Sequence, residues 1–326
     1  MIFIYNKSTD PYFNLAAEEY VLKNFNDDCF MLWRNSKAVI IGKNQNAIAE
    51  INRDYVTSNN IPVVRRLSGG GAVFHDLGNV NFTFITNDTD DFVNFGKFTE
   101  PIISVLKDKL SINAELSGRN DLTIDSKKFS GNAQYNYKNR VLHHGTLLFS
   151  SSIDNISESL NVKPIKLQSK GVKSVKSRVT NISSHLTSPL SIEEFIDMTM
   201  NYVKENSLDG EIYEFTKEDL KAIENLKDEK YSTWEWNYGK SPKYDYTNED
   251  KLSGGIVEIN LNVKSGVINE CKIYGDFFSK KDIHDIEQAL IGVKHQHNDI
   301  HTKLSEFEIN KYFAGITLEE LMKVFI

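Results

Sequence analysis

The chain has 326 residues, 40% of them hydrophobic and 25% charged, and 38 Lys and Arg stand against 45 Asp and Glu for a net charge of −7. That length is long for one core and predicts two domains, while the acidic balance argues against a general nucleic-acid binder. No apolar run approaches the length of a membrane span, and the two cysteines, Cys29 and Cys271, lie far apart, which reads as a reducing cytosol without a disulfide framework.

Met1 to Asn6 lacks the basic start of a signal peptide and reads as a first strand. Asp10-Pro11 supplies an N-cap and a proline at the first helical position, opening a helix to about Phe25. Cys29 to Arg34 and Lys37 to Ile41 read as short strands, 51–59 as helical, and Pro62 to Arg66 as a strand. Val80 to Ile85 alternates and is β-branched or aromatic, hence a strand. A helix is expected over about Val93 to Leu110, then strands at Leu122 to Asp125, Lys128 to Gln134 and Val141 to Phe149. Ser191 with Glu194 three residues later is a capping box for a helix to Glu205. From about Asp228 to Ser253 aromatic residues are interleaved with Gly239, Pro242 and charges, which reads as a connecting segment. Gly255 to Val263 and Val267 to Phe277 then alternate around Lys264-Ser265-Gly266 as a hairpin, followed by helices near Lys281 to Ile291, His297 to Phe307 and Thr317 to Phe325.

Four stretches carry candidate chemistry. Arg65 to Asp76 reads RRLSGGGAVFHD. Three consecutive glycines let backbone N–H groups approach a ligand closely, and two arginines precede them, a composition suited to a carboxylate or phosphate; a bare turn between strands is the alternative. The spacing fits neither G-x-x-x-x-G-K-[ST] nor G-x-G-x-x-G. In the Lys128 to Ala133 stretch, a strand puts Lys128 and Ser130 on one face and Lys127 and Phe129 on the other, so either lysine could point inward, where it needs an anion. His143-His144-Gly145-Thr146 opens the apolar Leu147-Leu148-Phe149; metal ligation is disfavoured because no Cys, Asp or Glu stands at ligand spacing. Lys163 to Arg178 is cationic with no acid, either a solvated loop or a flap that closes on a polyphosphate or meets an acidic partner. His295, His297 and His301 form a weaker group in the last third.

Taken in order, these residues resemble one family. RRLSGGGAVFHD with Gly78-Asn79 and Asn81-Phe82 resembles the signature of lipoate–protein ligases, and Lys128-Phe129-Ser130-Gly131-Asn132-Ala133 resembles that family's K-x-S-G-x-A segment. HHGTLL at His143 to Leu148, and Lys170-Gly171-Val172 through Ser177-Arg178-Val179-Thr180-Asn181, resemble its later motifs; Asp10 to Ala16 resembles its first helix. The resemblance implies an α+β fold: a large catalytic domain of mixed sheets flanked by helices, like biotin ligases and class II synthetases, over residues 1–245, and a small α+β accessory domain over 246–326. It implies that ATP and lipoate form lipoyl-adenylate, and that the lipoyl group passes to a lysine on lipoyl domains of 2-oxoacid dehydrogenase E2 subunits or on the glycine-cleavage H protein. Nucleic acid and membrane are not expected as partners, and a cytoplasmic monomer is.

The resemblance also implies residue roles. Lys128 would be the catalytic cation between acyl carbonyl and α-phosphate. Arg65, Arg66, Ser68, Gly69, Gly70 and Gly71 would wrap those groups; Val73, Phe74 and Leu148 would wall the dithiolane chain; His75, Asn79 and His144 would line the site. Asp121 would hold Mg²⁺ carried by the nucleotide. Ser130, Gly131, Asn132, Ala133, Gly145 and Thr146 would complete the site, and Lys170, Gly171, Val172, Ser177, Arg178, Val179 and Asn181 the adenylate-binding loop. Relatives on this fold transfer through a cysteine thioester; neither Cys29 nor Cys271 falls near Lys128 or His144 in motif order, which favours the adenylate route. A biotin ligase is disfavoured because Arg65 to Gly71 does not resemble G-R-G-R-x-G, and a non-catalytic binder because Arg66, Lys128 and Asp121 occur together.

Overall fold

A computed structural model describes residues 1–45, 47–87, 92–160, 178–207, 210–238, 246–264 and 266–325, the side chains at 48, 49, 53 and 54 aside. The strands are β1 (Ile2–Asn6), β2 (Cys29–Trp33), β3 (Ala38–Ile41), β4 (Val63–Arg65), β5 (Val73–His75), β6 (Asn79–Thr86), β7 (Glu115–Ser117), β8 (Asp121–Ile124), β9 (Lys127–Tyr137), β10 (Arg140–Leu148), β11 (Glu211–Ile212), β12 (Tyr246–Leu252), β13 (Gly255–Lys264) and β14 (Val267–Gly275). Among the described residues they form a large sheet in the order β11-β1-β2-β6-β10-β9-β8-β7, a small sheet β4-β3-β5 and a C-terminal sheet β12-β13-β14. Parallel pairing at β11-β1-β2 gives way to antiparallel pairing from β2 to β7.

The large sheet is covered on both faces, so its central strand β6 is buried along its whole length. On one face the Phe95–Leu110 and Ile192–Glu205 helices pack Phe98, Ile102, Phe195 and Met200 onto Phe30, Phe82, Phe84 and Phe129. On the other, the Pro11–Asn24 helix brings Leu15, Ala16, Val21 and Leu22 against Met31, Trp33 and Ile40. Each large apolar side chain buried this way contributes about 1.5–3 kcal/mol. The helix starts follow the sequence signals: Asp10 accepts from the Tyr12 and Phe13 N–H groups, and the Ser191–Glu194 box is present in both directions.

The C-terminal sheet carries the His284–Leu290, His297–Leu304, Ile309–Tyr312 and Leu318–Phe325 helices around Phe277, Ile286, Leu304 and Phe313. It sits on the rest of the chain beside the glycine run. Gly275 donates to the Asn44 carbonyl at 2.5 Å, Lys43 pairs with Asp282 at 3.5 Å, and Phe278 packs among Phe95, Ala133 and Ala314. Arg119 lies 4.5 Å over the Phe278 ring and donates to the Gly254 carbonyl.

Several elements differ from expectation. Residues 246–252 are not a connector: β12 pairs antiparallel with β13, so the hairpin belongs to a three-stranded sheet. Its Thr247-Asn248-Glu249-Asp250-Lys251 run is a largely solvated edge and shows no apolar alternation. Within the same stretch Trp234–Asn237 is a helical turn. The Lys217–Leu226 helix lies outside the expected elements, although Thr216 and Asp219 form a capping box before it. In β9 a bulge breaks the alternation on which the facing of Lys128 was read: Thr123 pairs with Lys128 but Leu122 with Ser130, leaving Phe129 as the extra residue.

Candidate active site

The site is a pocket between the two N-terminal sheets. Its floor is a row of residues crossing the large sheet: Trp33 of β2 faces Asn81 of β6, and Asn81 faces Thr146 of β10. The Thr146 hydroxyl accepts the Gly131 N–H of β9 at 3.1 Å, and Gly131 faces Asp121 of β8. Adjacent strands lie ~4.8 Å apart, so the row from β2 to β9 spans roughly 14 Å. Lys128 stands at the β9 end, close enough that a Cβ on Gly131 would come 2.8 Å from its Nζ. Trp33 closes the other end. Asn132, Ala133, His144 and Gly145 complete the floor.

Ile40 of β3 and Val73 and His75 of β5 form the roof, continued by Gly70, Gly71 and Ala72, with Leu15 reaching in from the first helix. The two arginines before the glycines are structural in placement. Arg65 gives Nη1 to the carbonyls of Gly42, Lys43 and Gln45, and its remaining nitrogens to Trp236 and Asn237. Arg66, which borders the pocket, donates to Ser68 Oγ at 3.0 Å, to Ile40 at 3.2 Å, to Gly69 at 2.7 Å and to Gly71 at 2.8 Å. Burial pushes both guanidinium groups down to about 10, so both remain charged near neutrality. The loop therefore keeps its shape by internal hydrogen bonds, and Gly70, Gly71 and Arg66, but not Arg65, border the pocket.

The histidines split by strand face. His144 points to the pocket side and is held from both ends: Nδ1 lies 3.0 Å from a Glu18 carboxylate oxygen and Nε2 2.6 Å from Ser68 Oγ. Glu18 also accepts from Thr83 Oγ1 at 2.5 Å, and Trp33 Nε1 donates to that hydroxyl at 3.1 Å. His143 points the other way, stacked on Phe98 at 4.9 Å and bonded to Gln134 and Asn132; burial and then His144 hold it well below the usual histidine value. His75 is buried with Nδ1 3.1 Å from Asn35 Nδ2, and burial, Arg66 and His144 push it down to about 3.

At the β9 end Lys128 Nζ contacts Asp121 Oδ1 at 2.7 Å. The backbone of Lys128 is paired as well: its N–H donates to the Arg178 carbonyl at 2.8 Å and its carbonyl accepts the Thr180 N–H at 2.9 Å, with Val179 opposite. Asn181 exchanges two 3.0 Å hydrogen bonds with the Ser151 backbone. Lys170, Gly171, Val172 and Ser177 lie outside the described residues. Ser68, Gly69, Phe74, Asn79, Ser130 and Leu148 do not border the pocket. Phe74 instead packs with Val39, Ile41 and Val63, and Asn79 donates to Asn81 Oδ1 at 2.9 Å. Among the described residues no three His, Cys, Asp or Glu side chains converge on a metal. The carboxylate at the Lys128 end is Asp121, the group expected to meet a Mg²⁺ carried by a nucleotide.

A family model of the lipoyl protein ligase A/B catalytic domain matches residues 10–204. The chain belongs to the lipoate–protein ligase family. The model of the bacterial lipoate protein ligase C-terminus matches residues 241–325. Lipoate–protein ligase 1 of Staphylococcus aureus is 47% identical over 322 residues, 98% of each chain. Lipoate-protein ligase LplJ of Bacillus subtilis is 45% identical over 328 residues, 99% of each. Among solved structures, P. falciparum LipL1 in complex with lipoate matches 99% of this chain and 98% of its own, with TM-score 0.79 and 27% identity. A lipoate-protein ligase A bound with ATP matches 73% of this chain and 98% of its own, with TM-score 0.63 and 28% identity.

Within this family a thioester route would need a thiol at the pocket. Neither Cys29 nor Cys271 borders it, both are buried, and burial pushes the Cys29 thiol up to about 12 and Cys271 higher still. Reading the sequence as a lipoate–protein ligase also missed Glu18, Asn35 and Trp33. The one available signal for Glu18 was a carboxylate inside the apolar Leu15-Ala16-Ala17 side of the first helix, where a charge must find partners.

Proposed function

We propose that this protein activates lipoate with ATP and transfers the lipoyl group to a lysine of lipoyl domains, on E2 subunits of 2-oxoacid dehydrogenases and on the glycine-cleavage H protein. The observation that carries the reading is a pocket with a lysine at one end and an apolar, aromatic-closed far end, roughly as long as an extended lipoyl chain. In the first step a lipoate carboxylate oxygen attacks the α-phosphorus and pyrophosphate leaves. In the second, the acceptor lysine's amine attacks the acyl carbonyl, AMP leaves and a proton is released. Lys128, beside Asp121, is the fixed cation for the charge that grows first on phosphorus and then on the acyl oxygen. The Gly70 and Gly71 backbone, shaped by Arg66, lines the path of the carboxylate. Mg²⁺ bound to ATP, near Asp121, would neutralise the phosphates. Leu15, Ile40, Val73 and Trp33 take the hydrocarbon chain, at about 0.8 kcal/mol per buried CH₂.

His144, clamped by Glu18 and Ser68, orients rather than shuttles protons. The same reading divides the chain into a catalytic unit to about residue 245 and an accessory unit beyond it, working as a cytoplasmic monomer. The test is pyrophosphate release from ATP with lipoate and no acceptor, comparing wild type with Lys128→Ala. Lipoate-dependent release should fall by at least ~100-fold in the variant. No release from wild type, with lipoyl groups still moved between carrier proteins, would replace the ligase reading with an acyltransferase.

A further inference from the structure

A directed chain of buried amides ends at a histidine that borders the acyl pocket. Asn6 Nδ2 donates to Asn14 Oδ1 at 2.9 Å, and Asn14 Nδ2 donates to Asn35 Oδ1 at 2.8 Å. Asn35 Oδ1 is thereby the acceptor, so its amide nitrogen is the group 3.1 Å from His75 Nδ1. Nδ1 must accept, and in the neutral ring the proton sits on Nε2. The ring is neutral at working pH because burial, Arg66 and His144 disfavour its charged form. His75 Nε2 has no hydrogen-bond partner among the described residues, although the residue is 3% exposed and borders the pocket.

This donor lies at the end remote from Lys128. The His75 ring meets the Trp33 ring edge-on at 6.2 Å, and Trp33 is three strands from the lysine's strand. The neighbouring pocket residues there are Leu15, Ile40 and Val73. A buried N–H left unpaired costs free energy, and the asymmetry favours any ligand atom able to accept it. A plain hydrocarbon chain has no such atom at its tip; a dithiolane ring does, in its two sulfurs.

We propose that His75 is a specificity-determining residue, its Nε2–H donating to a ring sulfur of the lipoyl group and so favouring lipoate over octanoate of equal chain length. The Asn6–Asn14–Asn35 chain sets the tautomer that makes this donation available. This rests on the ligase reading given above, and deepens it.

The experiment compares lipoate- and octanoate-dependent pyrophosphate release for wild type, His75→Phe and His75→Gln. In His75→Phe the lipoate-to-octanoate ratio of kcat/KM should fall about five- to tenfold, through a KM that rises more for lipoate than for octanoate. His75→Gln keeps an N–H donor and should recover most of the ratio. Parallel loss on both substrates in both variants would make His75 a packing residue, and an unchanged ratio in His75→Phe would leave the sulfur without this donor; either overturns the proposal. Failure of wild type to release pyrophosphate with either acid would strike the ligase reading itself and is recognised separately by that control.

Discussion

Two histidines buried in different sheets share one energetic signature. His75 and His143 are buried as neutral rings, and both are held below the ordinary histidine value, His75 at about 3. A folded value below the unfolded one means the unfolded chain takes up protons first. The stabilising contribution is complete above about pH 6.5 and is lost as pH falls toward 3. For His75 alone the loss between pH 6.5 and 5 is about 2 kcal/mol, with His143 acting in the same direction. Urea unfolding at pH 7 and pH 5 should show this drop, and His75→Gln should remove about 2 kcal/mol of it; an equal drop in the variant would mean that His75 protonates within the fold. The sequence made His75, His144 and Lys128 legible because they sit in runs of unusual composition. It left Glu18 and Asn35 in the dark because their roles depend on partners 126 and 40 positions away, and no local pattern reports such a distance.

The glycine run between β4 and β5 works as an element because one side chain holds it. Arg66 reaches the hydroxyl of Ser68 and the carbonyls of Ile40, Gly69 and Gly71 with a single planar fork. Lysine would bring a point charge in place of that fork and could not reach all four acceptors. Arg66→Lys should therefore destabilise the fold by about 2–4 kcal/mol, from buried acceptors left unpaired, and raise the KM for lipoate more than tenfold as the loop loosens. Chemical denaturation together with pyrophosphate kinetics checks both; a shift under ~0.5 kcal/mol would show that the loop holds its own shape. Helix starts and the buried strands were readable from caps and apolar alternation. The polar strand β12 was not, since a largely solvated edge strand has no apolar face to advertise it. The bulge at Phe129 was not either, because a one-residue insertion leaves no mark in composition.

At the scale of the whole molecule, the C-terminal unit packs against the glycine run that borders the site. A Cβ on Gly69 would lie 2.2 Å from the Phe277 carbonyl oxygen, a backbone atom that cannot step aside alone. Gly70 faces the Phe278 ring, which also packs against Ala133. Gly69→Ala should push the two halves apart locally, giving faster proteolysis between them and weaker acyl binding at a stability cost of about 1–3 kcal/mol. Unchanged proteolysis and unchanged lipoate KM would show that the contact does not shape the pocket. None of this was readable in the sequence, where residues 69 and 277 share no pattern; the contact exists only because the glycine run and the end of the C-terminal sheet meet there.

The deep burial of both native thiols has a practical consequence for labelling chemistry. Cys29 lies at 0% and Cys271 at 4% exposure, and burial disfavours the thiolate of each. Maleimide and iodoacetamide react with thiolates at the surface, so the unmodified protein should be nearly silent to them. New cysteines at exposed positions such as Leu116 and Ile291, one in each half, can then carry a pair of dyes with the native cysteines left in place. The separation of the halves becomes an optical distance, read without rebuilding the core that holds them.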